Sequence, residues 1–191
     1  MESNKKIIRP DKDTYYWLIA RTVATRSTCR TVEHGAIIVR NDQIIATGYV
    51  GAPRGVKDCL DLGFCIRRRK GIPSGTGYEM CRSAHAEMNA IINAARAGVS
   101  LLGGDLYIYS SRRTENGEVL IDAYPCLLCK KMIINAGLRR VVGNSKDGSL
   151  RSYFISDWVE DWKMLEDLTQ DKEKYDAGHG ESRKWRVESR E

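Results

Sequence analysis

The sequence predicts an α/β protein in which helices cover a layered sheet. Three observations support this class: short apolar runs rich in β-branched residues, segments with apolar residues three and four apart, and the alternation of the two along the chain. After a first helix, the predicted order is hairpin, helix, strand, helix, strand. With 191 residues and 42% apolar content, the chain can close one sizeable core, so we expect one domain.

The first helix is predicted by the segment DTYYWLIARTVATRS, in which Trp17, Ala20 and Val23 recur every third residue. Asp13 or Thr14 can cap its amino end. In the next segment, GAIIVRNDQIIATGY, two β-branched runs flank an Asn-Asp pair suited to a tight turn. We therefore expect a β-hairpin that turns at Asn41–Asp42.

Residues 51–82 show no clear period and are rich in glycine and cysteine. So long a loop in a compact domain needs something to hold it in place. The loop also contains the basic run from Arg67 to Lys70. We interpret this run as a solvated part of the loop.

The middle of the chain predicts a helix and a strand. Residues 84–97 have helical character and stop at Gly98, a residue typical of helix ends. The strand DLYIYS begins at Asp105, and Asn116–Gly117 beyond it indicates a second hairpin.

The last predicted elements are two helices with a strand between them. Pro125 suits the first turn of a helix that reaches Ala136, and the short strand RRVVG follows. A final helix is expected from Asp157 to Leu168, and the tail after it is too polar to pack well. We therefore divide the chain into a main domain, residues 1–156, and a C-terminal helix and tail, residues 157–191.

The charge is unevenly spread. The net charge is +6, but residues 1–156 carry 24 basic and 14 acidic side chains, whereas residues 157–191 carry 7 basic and 11 acidic ones. The folded part therefore favours anions, and nucleic acid, free nucleotides and other phosphates all fit such a field. A basic surface without a specific role fits it equally well.

No run of the sequence is long and apolar enough to cross a membrane, and the N-terminus lacks the apolar centre of a secretion signal. We expect a soluble, cytoplasmic protein. In that compartment thiols stay reduced, and clustered cysteines are more often metal ligands or reactive groups than disulfides.

Two segments carry the residues of a zinc site, SAHAEMN and YPCLLCK. Each opens a predicted helix, and a helix amino end favours the thiolate form of Cys126 and Cys129. With His85 as the third ligand, the charge of Zn²⁺ is balanced and its fourth position stays open, which is typical of catalytic zinc. Glu87 points to another part of the helix and is the candidate for proton transfer.

Each motif taken alone is weaker evidence for a catalytic zinc site than the two together. A single Cys-x-x-Cys pair occurs in redox proteins and structural zinc sites, and a single His-x-Glu pair means little. Only the two motifs together, at two helix starts with Pro125 in place, favour a catalytic site.

The combination of His-x-Glu with Pro-Cys-x-x-Cys resembles the zinc-dependent base deaminases. The resemblance is strongest to the deoxycytidylate (dCMP) deaminase family, over about residues 14–143. It rests on four stretches of the chain: RSTCRTVEHGAIIV, ATGYVGAPRGVKDCLDLGFC, GIPSGTGYEMCRSAHAEMNAIINAARAGVSLLGGDLYIY and YPCLLCKKMIINAGLRRVV.

The resemblance implies a three-layer α/β/α, cytidine-deaminase-like fold with a mixed sheet of about five strands. The implied reaction is hydrolysis of dCMP to dUMP and ammonia, which feeds thymidylate synthesis. The implied roles are a catalytic zinc on His85, Cys126 and Cys129, with Glu87 as acid and base. Family members also form homo-oligomers, hexamers or dimers, and many respond to dCTP and dTTP. Arg96 matches an arginine tied to that regulation.

Four further cysteines flank the long loop, and similar deaminases carry a second, structural zinc in this region. On that basis the second zinc is assigned to Cys29, Cys59, Cys65 and Cys81, with free thiols as the alternative. The substrate pocket is assigned to Ala86, Ala123, Tyr124 and Arg54. Arg30 and Lys57 are further candidates for holding the phosphate, since guanidinium and ammonium groups suit that contact.

The chain departs from the family at three points. Val50 replaces an asparagine that contacts the sugar, so sugar recognition must differ. The stretch RRTENGEVLIDA stands between the strand and Pro125, which makes Ala123 and Tyr124 the expected edge of the pocket. His34 replaces an apolar residue before Gly35, and we interpret it as a loop histidine without a role.

Three functions remain open at this point. The first is deamination of a free nucleotide, dCMP or its ribose counterpart CMP. The second is deamination of bases in single-stranded nucleic acid, which would use the basic surface. The third is a zinc protein without activity. The long loop before His85 favours the first, because it can cover the pocket, and an intact Glu87 argues against the third.

Overall fold

The computed structural model describes residues 9–73 and 76–164. Within them, six strands form one mixed sheet in the order β2-β1-β3-β5-β6, and β4 pairs with β3 beside this path. Among the pairs that these described strands form, only β3–β5 is parallel. The strands are β1 Val32–Arg40, β2 Gln43–Tyr49, β3 Asp105–Thr114, β4 Gly117–Leu120, β5 Arg140–Asn144 and β6 Leu150–Phe154.

Helices cover both faces of this sheet, so the predicted three-layer α/β/α class is confirmed. The helices are α1 Lys12–Ala24, α2 Cys59–Leu62, α3 Ile66–Arg69, α4 Ala86–Arg96, α5 Leu127–Asn135 and α6 Ile155–Met164, with a short 3-10 helix at Tyr78–Met80. No helix among the described residues has both the length and the apolar character needed to cross a membrane.

The alternation of side chains along β1 separates two cores. Ile37 and Val39 pack with α1 on one face, whereas Ala36 and Ile38 pack with α4, α5 and α6 on the other. Side chains alternate between the two faces of a sheet, so the odd-numbered residues of β1 pack against one helix layer and the even-numbered residues against the other. The even positions of β1 face the helices that carry the candidate site.

Helix α4 lies very close to the sheet because β2 presents a glycine to it. A Cβ built on Gly48 would lie 2.3 Å from the Ala90 nitrogen and 2.4 Å from the Ala86 oxygen. No side chain fits at such distances. Gly48 thus sets how closely α4, and the residues at its amino end, approach the strands.

Both predicted hairpins are confirmed. Asn41 and Asp42 have φ angles of 51° and 63°, so both turn residues are left-handed, as a two-residue type I′ turn requires. The second turn places Gly117 opposite Thr114 at the tip of the β3–β4 hairpin.

Two predicted helix starts are wrong. The side chain that caps α1 is Asp11, which accepts a hydrogen bond from the Thr14 nitrogen at 2.8 Å. Asp13 does not cap the helix because its carboxylate binds the Arg140 guanidinium, at 2.8 and 3.0 Å, and the Tyr107 hydroxyl. Helix α5 begins at Leu127 with Cys126 as its N-cap, so Pro125 precedes the first turn.

The C-terminal part of the prediction is partly tested. The last helix begins at Ile155, two residues before the predicted start, and Leu168 lies outside the described residues. Trp158 of this helix is buried in the same core as α4 and α5. The division of the chain at residue 156 stays a prediction.

One buried amide ties α1, β3 and β5 together. The Asn144 Oδ1 accepts hydrogen bonds from the Trp17 Nε1, at 3.1 Å, and from the Ser110 nitrogen, at 2.9 Å. Its Nδ2 donates to the oxygens of Ser110 and Ile121, at 3.1 and 2.8 Å. Asn144 thereby fixes the end of β3 nearest the candidate site.

Candidate active site

The three side chains that the sequence predicts as zinc ligands meet between the starts of α4 and α5. The His85 Nδ1 lies 3.4 Å from the Cys126 Sγ and 3.3 Å from the Cys129 Sγ. All three ligand atoms lie within 4.8 Å of one another. A tetrahedral zinc with ordinary bond lengths places an imidazole nitrogen and a thiolate about 3.5 Å apart. Both the donor types and their spacing therefore fit zinc.

Local backbone geometry explains how two helices supply one site. His85 is the N-cap of α4 and Cys126 is the N-cap of α5, each with extended φ and ψ angles. Neither side chain caps its own helix, so both can point into the space between the helix starts. The partial positive charge of each helix amino end adds to a field that favours thiolate ligands.

Hydrogen bonds and charges within the cluster shift the pKa values of its three ligands. The hydrogen bond from the Cys129 thiol, together with the neighbouring His85, holds the pKa of Cys126 well below its ordinary value. The same hydrogen bond and burial raise the pKa of Cys129. Burial opposes the charged form of His85, but Cys126 and Glu87 outweigh it and raise its pKa. The lowered pKa of Cys126 favours a thiolate, and binding of a metal ion would displace the remaining protons of the ligands.

Glu87 lies in the first turn of α4 and is buried, with 8% of its surface exposed. Its carboxyl group contacts the Cys129 thiol. Burial raises the pKa of Glu87, although the charge of His85 opposes the shift. A carboxyl group with a raised pKa, next to a metal cluster, is suited to accept and return protons.

A tyrosine of the long loop closes one side of the cluster, and the sequence did not predict it. The Tyr78 ring packs edge-to-face on the His85 imidazole, with centroids 4.9 Å apart. The Arg67 guanidinium lies over the Tyr78 ring at 5.2 Å and donates to the oxygens of Pro73, at 2.7 Å, and Thr76. Arg67 is thus a structural member of the loop, and its interpretation as solvated was wrong. Arg68, Arg69 and Lys70 are exposed, as predicted.

The family model for the cytidine and deoxycytidylate deaminase zinc-binding region matches residues 10–144. The chain belongs to this family. The match spans both helix starts and the loop between β2 and α4, so it includes every residue of the cluster described above.

Individual relatives agree with this assignment. The deoxycytidylate deaminase of Schizosaccharomyces pombe is 34% identical over 139 residues, which cover 73% of this chain and 38% of that protein. The deoxycytidylate deaminase of Mycobacterium phage D29 is 34% identical over 139 residues, covering 70% of this chain and 94% of that protein. The chain thus spans 38% of the length of the S. pombe relative and nearly all of the phage relative.

A solved structure shows the same fold. The dCMP deaminase of cyanophage S-TIM5, in complex with dCMP and dUMP, superposes with a TM-score of 0.54 at 25% identity. The superposition covers 83% of this chain and 94% of the cyanophage chain.

The other predicted pocket residues of this deaminase-family chain have mixed surroundings. Ala86 is fully buried against the sheet, and Ala123 is 3% exposed. The Tyr124 ring packs on Tyr153, with centroids 4.9 Å apart, and its hydroxyl accepts a hydrogen bond from Lys130 at 2.6 Å. Arg54 is exposed and donates to the Asn93 amide oxygen at 2.8 Å. Their roles toward substrate stay predictions.

Three further cationic candidates lie on the surface. Arg30 and Lys57 are exposed, and so is Arg96 in the last turn of α4. Their roles stay predictions too.

The four remaining cysteines come close to one another around the long loop. Burial, and then the charges of Cys29, Cys65 and Cys81, raise the pKa of Cys59. The Cys59 and Cys81 thiols both interact with Ser83. Within the described residues, however, only the His85 cluster has three or more ligand atoms within 4.8 Å of one another. The four thiols therefore share a region but are more widely spaced.

His34 was misjudged as a loop residue. It belongs to β1, and its Nδ1 lies 2.7 Å from the Ser110 Oγ on β3. Burial, reinforced by the charge of His85, lowers the pKa of His34 to about 4. The local sequence does not indicate that His34 lies in a strand, because two of the first three residues of β1, VEH, are polar, as is common in loops.

Proposed function

We propose that this chain hydrolyses dCMP to dUMP and ammonia. The observation that carries the proposal is the convergence of His85, Cys126 and Cys129 on one point, with the buried Glu87 beside them. Two relatives are deoxycytidylate deaminases, and the cyanophage structure holds dCMP and dUMP. These likenesses support the choice of substrate.

The three ligand side chains would hold a zinc ion through the His85 Nδ1 and both sulfur atoms. Zinc in such a site acidifies a water molecule so that it is ionised near neutral pH. The fixed N-cap conformations of His85 and Cys126 hold the ligands in place before substrate arrives. The cluster therefore needs no rearrangement to bind the ion.

Glu87 would move the protons. Hydrolytic deamination needs one proton delivered to a ring nitrogen of the base and another delivered to the departing amine. The buried carboxyl group of Glu87 adjoins the cluster, and its raised pKa lets it hold a proton closer to neutral pH. The same group can thus take a proton from the water and return it to the substrate.

The loop that carries Tyr78 supports a small substrate rather than a polymer. Tyr78 packs directly on His85, and the loop is tied down by the Gly51–Ala84 bridge immediately before this ligand. A strand of nucleic acid needs an open approach to the metal, whereas a free nucleotide can fit beneath a covering loop. Arg54 is the proposed phosphate contact, and Ala86, Ala123 and Tyr124 are the proposed pocket residues.

We also propose a second, structural zinc held by Cys29, Cys59, Cys65 and Cys81. Their mutual electrostatic influence and their position around the long loop support it. Binding would draw the four thiols together and fix the loop that carries Tyr78. Metal analysis of the purified protein tests this site: two zinc ions per chain are expected, and one would contradict it.

We further propose that the whole protein is a cytoplasmic homo-oligomer, either a dimer or a hexamer. In the same proposal, dCTP and dTTP are effectors that act through Arg96. Turnover measured with and without each effector, for the wild type and for Arg96→Ala, tests the regulation. Equal responses of the two proteins would contradict the role of Arg96.

An activity panel tests the central proposal. The substrates are dCMP, CMP, deoxycytidine, dCTP and a single-stranded oligodeoxynucleotide. We expect the highest kcat/KM with dCMP. A preference for CMP would move the assignment to the ribose nucleotide, and turnover of the oligonucleotide alone would contradict a free-nucleotide enzyme.

A further inference from the structure

Three side chains form a row across the sheet at the edge of the candidate site. Val50 and His34 are paired through a backbone hydrogen bond of 3.0 Å between β1 and the end of β2. His34 and Ser110 are register partners between β1 and β3. Residues that pair across antiparallel strands point to the same face, so these three side chains lie side by side.

This row faces the helices that carry the metal cluster. His34 is two residues from Ala36, and Ser110 is two residues from Ile108; both of these apolar residues pack in the core beneath α4 and α5. Positions two apart on a strand share a face. His34 and Ser110 therefore extend the α4–α5 face of the sheet toward the helix starts.

Backbone pairing brings the row next to a metal ligand. Gly51, which follows Val50, exchanges two hydrogen bonds with Ala84, at 2.9 and 3.2 Å. Ala84 in turn precedes His85 in the chain. The charge of His85 also contributes to the lowered pKa of His34.

The hydrogen bonds of His34 leave one ring nitrogen available. Ser110 holds Nδ1, and Nε2 has no hydrogen-bond partner among residues 9–73 and 76–164. As a residue, His34 is neither fully buried nor exposed. Val50 offers no polar side-chain atom, whereas the His34 Nε2 has unused bonding capacity.

The chemistry of Nε2 indicates what it can bind. Its neighbourhood keeps the imidazole uncharged near neutral pH, so the ring gives no charge attraction to a phosphate. A neutral ring nitrogen instead matches a hydroxyl or a carbonyl group, as a donor or an acceptor according to its tautomer. A nucleoside presents both kinds of group.

We infer that the His34 Nε2 hydrogen-bonds a neutral polar group of the nucleoside part of the substrate, either a sugar hydroxyl or the base carbonyl. Ser110 orients the ring, and Val50 forms the apolar wall beside it. His34 is thereby a specificity residue of the site, which rests on the nucleotide deaminase function proposed above.

The test compares steady-state kinetics on dCMP for the wild type, His34→Phe and His34→Asn. Phenylalanine keeps the ring but removes both nitrogens, whereas asparagine keeps a polar group that can still meet Ser110 but is too short to replace Nε2. For both variants we expect KM to rise about tenfold or more. We expect kcat to change less than about threefold, with zinc per chain unchanged.

The matched control is Ser110→Ala, which loosens the ring without removing Nε2 and should raise KM less than either His34 variant does. If His34→Phe fails to fold, His34→Asn decides the question. A KM within about twofold of the wild type in a zinc-loaded, folded His34 variant overturns the inference.

A substrate analogue without sugar hydroxyls shows whether His34 contacts the sugar or the base. With 2′,3′-dideoxycytidine monophosphate, a sugar contact predicts that wild type and His34→Asn have similar KM values, whereas a base contact predicts that their difference persists. Wild-type protein that deaminates no cytosine nucleotide would contradict the proposed function itself. Wild-type turnover with unchanged KM in the variants would contradict only the role of His34.

Discussion

Replacing Gly48 with alanine tests how the sheet positions α4. The new Cβ would lie 2.3 Å from the Ala90 nitrogen and 2.4 Å from the Ala86 oxygen. Both are backbone atoms, so no side-chain rotation can relieve the overlap. Ordinary contact distances are reached only if α4 moves outward by about 1 Å.

The Gly48→Ala substitution should have two measurable effects, one on stability and one on activity. Overpacking of this kind destabilises proteins by about 3 kcal/mol, which urea unfolding should detect. A displacement of about 1 Å in the helix that carries Glu87 should also lower kcat/KM for dCMP by about a hundredfold.

The matched control is Gly98→Ala at the other end of α4. Gly98 has a φ angle of 67°, and apart from its neighbours in the chain no described residue has an atom within 4 Å of the point where an alanine Cβ would sit. Alanine there costs only about 1 kcal/mol of backbone strain and should leave kcat/KM unchanged. Wild-type stability and activity in Gly48→Ala, or equal losses in both variants, would refute the reasoning.

Three further predictions concern the surroundings of the site. Asn144→Ala leaves several buried polar groups unpaired and should cost about 3 kcal/mol in urea unfolding, whereas a loss below about 1 kcal/mol would contradict the role of the amide. Tyr78→Ala should weaken zinc binding about fivefold in chelator competition and Tyr78→Phe should not, because phenylalanine keeps the ring that packs on His85. Equal affinities in both variants would argue against that contact. In the unfolded chain His34 has its ordinary pKa of 6.5, whereas in the folded protein its pKa is about 4. Between these two pH values the unfolded state binds more protons, so the free energy of unfolding falls as the pH falls. This contribution amounts to up to about 3 kcal/mol and should be missing in His34→Gln, so equal pH slopes for that variant and the wild type would contradict it.

The sequence was informative where function depends on local spacing. Cys126 and Cys129 share a helix face whatever the rest of the fold does, and His85 opens a helix whose end is marked by a glycine. The Asn41–Asp42 turn was equally local, because few residue pairs tolerate two left-handed positions in succession.

The sequence was uninformative where a role depends on distant contacts. Strand β6 was missed because it lies at the edge of the sheet, is mostly exposed and shows no apolar alternation. Arg67 and Tyr78 lie in a stretch without period, and the stacking of Arg67 on Tyr78 and of Tyr78 on His85 exists only once the loop has folded. His34 gains its partner from Ser110, 76 residues away in the chain.

The most direct measurement of the central claim combines zinc content and dCMP turnover for Glu87→Gln and the wild type in the same preparations. If Glu87 moves protons beside a zinc held by His85, Cys126 and Cys129, the variant keeps its zinc and loses about a hundredfold to ten-thousandfold in kcat/KM. A zinc-loaded Glu87→Gln protein that deaminates dCMP at the wild-type rate would contradict the account.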